Sequence, residues 1–214
     1  EWAMGHVPSA PIAQQTILTL EECLAQEKSA ALSYDRSRWL YLPPQYCDYR
    51  YLLGTRGKKP VICIGINPST AAPGALDNTL KSVERVALHN GFDSFFMFNV
   101  SAQRATAPGD MDRAEDVRLH TENMKTFAYV LSACPEPVVW AAWGTIIEKR
   151  TYLYSYLWEM IEIAARHGAV WVSAGKRSAA GHPHHPLYLK KDAAFDPFDP
   201  ADYLQSLAGQ RIGA

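Results

Sequence analysis

Four short apolar runs punctuate the middle of the chain: PVICIG (60–65), SFFMFNV (94–100), PVVWAAWG (137–144) and AVWVSAG (169–175). None shows the alternation of a strand with one wet face, and amphipathic stretches separate them. That order predicts βαβ units and a parallel sheet covered on both sides. Ahead of the runs, Thr19-Leu20-Glu21-Glu22 is a capping-box pattern that opens a helix to about residue 32. RWLYLPPQYCDYRYLLG (38–54) predicts two short strands around Pro43-Pro44. Asp77 is placed to cap a helix with Leu80, Val83, Ala87 and Leu88 on one stripe, stopped by Asn90-Gly91. Further helices are predicted over about 112–131 and 145–166, with a short one near 201–207. The fold class is therefore α/β: a three-layer α/β/α sandwich around a central, mainly parallel four-stranded sheet. Residues 19–214 form the single domain, and 1–18 are expected outside it, disordered or added for expression.

Composition narrows the functional classes. With 214 residues and 48% hydrophobic content, the chain can fill one core. No stretch reaches the roughly 18 uninterrupted apolar residues of a membrane span, and no signal-peptide pattern opens the chain. Cys23, Cys47, Cys63 and Cys134 are scattered without C-x-x-C spacing, which argues against a zinc or iron–sulfur site and suits a reducing, cytoplasmic setting. A net charge of −1 advertises no broad nucleic-acid surface, so any such contact rests on local basic patches.

Ligands of open α/β sheets bind beyond the carboxyl ends of the strands. The first run delivers Asn67, Ser69 and Thr70 there, and the second Asn99, Ser101, Gln103, Arg104 and Thr106. The third ends at Trp143-Gly144, and the fourth leads through Lys176 and Arg177 into GHPHHPLYLKK (181–191). Each has a plainer reading. Asn-Pro is turn chemistry, Asp77 is first a helix cap, Arg104 is more often a surface charge, and Trp140 and Trp143 are more often core. Of the histidines, His182 and His184 share a side of an extended segment and His185 points away. That is two convergent ligands where zinc needs three or four, so no metal and no other cofactor is expected.

Together these motifs resemble a bacterial family of unknown function, DUF1643. They are Asn67-Pro68-Ser69-Thr70-Ala71 with Asp77 and Thr79, Asn99 with Arg104-Ala105-Thr106, Ala141-Ala142-Trp143-Gly144, and His185-Pro186-Leu187-Tyr188-Leu189. The resemblance runs over about residues 48–191. The same segments are similar to motifs of the uracil-DNA glycosylase superfamily. Gly65-Ile66-Asn67-Pro68-Ser69 resembles the GINPG of its mismatch-specific branch, and His185-Pro186-Leu187-Tyr188-Leu189 the HPSPL or HPSYL of others.

That resemblance implies a uracil-DNA glycosylase-like fold and catalytic roles for Asn67 and His185, to which this chain's own Asp77 is added as a catalytic candidate. Asn67 would orient a water, and His185 would donate to the departing base. Asp77 would supply the carboxylate that an amide cannot. Substrate contacts would come from Ser69, Thr70, Asn99 and Arg104, with Trp143 or Tyr188 as a stacking face. Arg177, Lys190 and Lys191 would meet nucleic-acid phosphates, whereas Lys58 and Lys59 should lie at the wrong end of the sheet. Ser69 departs from the second glycine of GINPG, and TAAPGALDNT (70–79) has no clear glycosylase counterpart. Two readings of different kinds therefore stand: a hydrolase of a nucleobase–sugar bond, or a non-catalytic module binding a nucleobase, nucleotide or flipped base. A metal-dependent hydrolase built on the histidines is a distant third.

Overall fold

The computed structural model describes residues 4–29 and 31–212. Its centre is a seven-stranded sheet among those residues, in the order β1-β2-β4-β3-β5-β6-β7. The four apolar runs supply β3 (Pro60–Gly65), β4 (Ser94–Asn99), β5 (Val138–Ala141) and β6 (Val170–Ala174). These four pair in parallel. On one side β1 (Trp39–Leu42) and β2 (Leu52–Thr55) extend the sheet antiparallel. On the other, β7 (Phe195–Pro197) does the same. The sheet therefore has seven strands where four were expected. The predicted four are its parallel centre. β7 is Phe-Asp-Pro, too short and too polar to show a strand pattern.

Period-2 alternation explains why the central runs are apolar throughout. Val61 and Cys63 face one way and pack with Leu80, Val83, Val86 and Ala87 of α2 (Asn78–His89). Ile62 and Ile64 face the other way. They join a cluster that includes Leu20 of α1 (Leu20–Ser29), Phe127 of α3 (Val117–Ala133), Leu157 of α4 (Tyr152–Arg166) and Tyr203 of α5 (Pro200–Ile212). One helix covers the first face and four cover the second, which makes three layers.

Caps set the helix ends. The capping box closes as predicted: Thr19 Oγ1 accepts from Glu22 N–H at 3.1 Å, and Glu22 Oε2 accepts from Thr19 N–H at 2.9 Å. The helix expected from residue 112 begins instead after Asp116, which accepts from Leu119 N–H at 3.1 Å. Asp112 is committed elsewhere: its carboxylate accepts from Ile12 N–H at 2.8 Å and from Gln103 Nε2 at 3.0 Å. The helix expected over 145–166 is broken into a 3-10 turn, Thr145–Lys149, and α4.

The N-terminal segment is the larger correction. From residue 4 onward it lies on the domain. Ile12 is buried, Thr106 N–H donates to the His6 carbonyl at 2.9 Å, and Ser9 Oγ donates to Asp48 at 2.5 Å. The contacts that hold it are long-range, combining hydrogen bonds to Asp48, Thr106 and Asp112 with the burial of Ile12 in the core. Residues 1–3 lie outside the described set.

Strand β2 offers a test of the antiparallel extension. Gly54 sits opposite Phe96, and a Cβ there would run into the Phe95 carbonyl oxygen and lie 2.5 Å from Phe96 Cδ1. Backbone cannot yield as a flexible side chain can. Gly54→Ala should therefore lower stability by about 1–3 kcal/mol, the usual cost of overpacking, read as a lower urea midpoint at unchanged m-value. A wild-type midpoint would contradict the close β2–β4 approach.

Candidate functional site

The crossovers reverse direction at β3: the chain goes from β3 to β4 on one side and then to β5 on the other. Such a switch point opens a crevice at the carboxyl ends of the strands. A cavity of about 540 Å³ occupies it, lined by Gly65, Asn67, Ser69, Thr70, Asp77, Thr79, Asn99, Thr106 and His185 among others. Gly65 keeps its floor open, because a Cβ there would come within 2.6 Å of Met97 Cε and 3.0 Å of Asn99 Oδ1.

Asn67 follows the end of β3, and Pro68 favours an extended backbone at this position. Its amide Nδ2 donates to the Pro68 carbonyl at 3.1 Å and the Ala105 carbonyl at 2.8 Å. Both donors are therefore spent, one within the β3 loop and the other tying it to the β4 loop. What Asn67 offers a ligand is its carbonyl oxygen, an acceptor. Asn99 is buried at the end of β4, its backbone carbonyl held by Asn123 Nδ2 at 2.9 Å. Its own Nδ2 is buried without a partner, a cost that a ligand acceptor would remove.

Asp77 caps α2 as the sequence suggested: Oδ1 accepts from Leu80 N–H at 2.9 Å. The cap engages one oxygen, and the residue still lines the cavity. His185 arrives on the loop after β6 and packs against Gly144, whose φ of 64° and missing side chain allow the approach. Its Nδ1 accepts from Leu187 N–H at 3.1 Å, so in the neutral ring the proton sits on Nε2. Burial lowers the His185 pKa below its ordinary value, and His184 pushes the same way against a smaller opposing pull from Asp77. A neutral donor is thus set in the cavity wall. Ser69 Oγ and Thr106 Oγ1 share a hydrogen bond at 2.7 Å on the rim.

Several expected contacts lie elsewhere. Arg104 is fully buried behind the loop rather than in the cavity. It donates to the carbonyls of Ser69 (2.5 Å) and Ala71 (3.1 Å) and to Tyr41 Oη (2.8 Å), with its guanidinium 4.0 Å from the Tyr46 ring centroid. It positions the loop and is corrected from substrate contact to scaffold. Trp143 is also buried, its ring packed by Trp171, Phe198 and Tyr203, so it has no face left for a base. Tyr188 is 90% exposed and borders a separate shallow depression beyond His185. Arg177 stacks on Phe198, and Lys190 and Lys191 are exposed; none of the three lines the cavity. Lys58 and Lys59 border a wider groove at the opposite, amino ends of β3, β5 and β6, where no buried polar side chain converges among the described residues.

The histidine cluster also divides by role. His182 is fully buried and forms one link of a chain: Trp143 Nε1–H donates to Tyr203 Oη (3.0 Å), Tyr203 O–H to His182 Nδ1 (2.7 Å), and His182 Nε2–H to Glu148 (2.8 Å). Both His182 nitrogens are occupied. The strut ties the β6 loop to α5 and to the turn at 145–149, holding His185 at the cavity.

Arg50 is the site residue that the sequence reading missed. It is 1% exposed, yet lines the cavity. Its Nη1 makes one long bond, 3.3 Å, to the Ala71 carbonyl, and its buried Nε has no partner. Desolvation, then repulsion from Arg104, brings its pKa down to about 9. Its neighbours YCDYRYLL read as strand and gave no reason to single out the charge.

Two expectations follow. Because the folded His185 pKa lies below its unfolded value, the unfolded chain takes up this proton first. Its contribution to stability is complete above about pH 6.5 and declines as pH falls through the folded pKa. Nitrogen-15 NMR should show His185 with an unprotonated Nδ1 at pH 7 and a pKa below 6.5; an Nδ1–H tautomer would contradict the geometry. Tyr203→Phe should cost about 1–3 kcal/mol, because it leaves the Trp143 indole and His182 Nδ1 buried without partners. Thermal unfolding measures it, and an unchanged midpoint would break the proposed strut.

No curated protein and no solved structure matches the chain. Residues 50–187, well over half of its length, do match a family described as "Protein of unknown function (DUF1643)". That span holds the whole cavity wall apart from Met4 and Gly5, including Arg50 at its first position and Leu187 at its last. The chain belongs to the DUF1643 family.

Proposed function

We propose that the cleft hydrolyses the N-glycosidic bond between a nucleobase and a sugar, on a fold resembling that of the uracil-DNA glycosylases. The observation that carries this reading is His185: a desolvated, neutral imidazole with its proton on Nε2, in one cavity with Asn67, Asp77 and Asn99. Heterolysis sends the bonding pair to the base and leaves positive charge on the sugar. The Nε2–H donates to the departing base where negative charge develops, an effect typically worth about 3 kcal/mol per donor. The unpartnered Nδ2 of Asn99 supplies a second donor for a base carbonyl. The carboxylate of Asp77 sits on the side of the positive sugar. The Asn67 carbonyl oxygen holds the water whose oxygen bonds to the anomeric carbon. One of the water's protons stays on the new anomeric hydroxyl and the other ends on the base.

The cap duty of Asp77 and the spent amide of Asn67 favour a second reading, in which the same groups only bind a base. Single-turnover base release separates the two. For a catalyst, His185→Ala and Asn67→Ala should lower the release rate by about 10²-fold or more while changing affinity far less, because both act chiefly at the transition state. Asp77→Asn keeps a side-chain oxygen for the cap and tests the carboxylate alone. Affinity lost in step with no base released from any nucleoside, nucleotide or oligonucleotide would establish the binding module instead.

A further inference from the structure

Arg50 is a buried charge at the inner wall of the cleft, bonded to one carbonyl and to no carboxylate among the described residues. Among the described residues no carboxylate lies within ion-pair distance of it. Asp77 is near enough to be felt electrostatically but forms no salt bridge with it. Arg104 shows what a satisfied buried arginine looks like here: three acceptors and an aromatic face, leaving only Nε without a partner and no surface on the cleft. Arg50, on the cleft, has one weak bond and an orphaned Nε.

The opposite wall adds donors. Asp77 takes the Leu80 N–H, and helix geometry leaves the Asn78 and Thr79 N–H groups of α2 without intrahelical acceptors. Both residues line the cavity, as do the hydroxyl-bearing Ser69, Thr70 and Thr106. The charged groups around this region are Arg50 and, behind it, Arg104, against the single carboxylate of Asp77 and a neutral His185. The balance calls for an anion.

We infer that Arg50 seats a terminal phosphate, and that the cleft's ligand is a free mononucleotide rather than an internal residue of a strand. The inference rests on the proposed nucleobase reading and specifies its substrate class. A guanidinium 1% exposed is reached by a terminal phosphate at the end of a small ligand. An internal phosphodiester would have to bring both neighbouring nucleotides into a cavity of about 540 Å³, the size of a small-molecule site. None of Arg177, Lys190 and Lys191 lines the cleft, whereas Arg50 does.

Calorimetry with the wild-type chain decides the point. The probes are uridine, cytidine, adenosine and guanosine 5′-monophosphates, each against its own nucleoside, and a short oligonucleotide without terminal phosphates. At least one monophosphate should bind about tenfold or more tighter than its nucleoside, the margin expected of charge-assisted bonds to a guanidinium. Inorganic phosphate should compete and raise the melting temperature above that in chloride of equal ionic strength. In Arg50→Met the monophosphate advantage should collapse towards unity; Arg50→Lys, which keeps the charge without the fork, should retain part of it if the methionine variant fails to fold. Equal affinity of every nucleotide and nucleoside pair, or tighter binding of the oligonucleotide, would overturn the inference. Phosphate-dependent binding without base release would keep the seat and remove the hydrolase; base release from nucleosides at nucleotide rates would do the reverse.

Discussion

The guanidinium of Arg104, sealed from solvent, is the tie on which the cleft depends. Its Nη1 holds the carbonyls of Ser69 and Ala71, its Nη2 reaches Tyr41 on β1, and Tyr46 lies against its face. Without that tie the carbonyls of Ser69 and Ala71 would lose their strongest donors, although Asn67 and the Ala105 N–H bond to Pro68 also hold the loop. Burying a cation costs several kcal/mol of desolvation, which the fixed carbonyl dipoles and the aromatic face work against. The arrangement persists because the same loop forms the wall bearing Asn67, Ser69 and Thr70.

From that tie the site assembles outward. Asn67 joins the two loops at the carboxyl ends of β3 and β4 by donating to Ala105, next in sequence to Arg104. The second wall is held independently, through Glu148, His182, Tyr203 and Trp143, a chain in which every donor meets an acceptor. Two rigid walls therefore face each other, each built from polar groups already satisfied. Arg50 Nε and Asn99 Nδ2, two of the buried polar atoms without partners, belong to residues that line the cavity. Buried polar atoms without partners also occur elsewhere in the domain, at Trp140, His120 and Tyr156, but among the described residues Arg50 and Asn99 are the two that line the cleft.

The N-terminal segment has a part in this. Met4 and Gly5 border the cavity, and a side chain on Gly5 would come within 2.9 Å of Thr106. His6 bonds Thr106 from both its N–H and its carbonyl, so the rim of the cleft is closed by a strand-like contact from a distant part of the chain. The cavity is thus larger than its sequence motifs, with a lip supplied by residues that carry no motif at all.

The order of apolar runs determined the parallel centre of the sheet, and alternation within each run decided which helices each face would meet. The caps at Thr19 and Asp77 were equally local, since a cap is chemistry across three residues. Position after a strand also sufficed to bring Asn67, Ser69, Thr70, Asn99 and His185 to one crevice, because parallel strands all end on the same side. What tertiary structure alone decided was which polar side chains would be spent on scaffold. Arg104 and Trp143 carry the same local signals as a ligand contact, and His182 the same as His185. Their fates depend on partners 34 to 60 residues away along the chain. Arg50 shows the converse. In sequence it is one charge among aromatics, and only the packing of Tyr41, the β3 loop and Arg104 around it makes it a buried cation on the cleft.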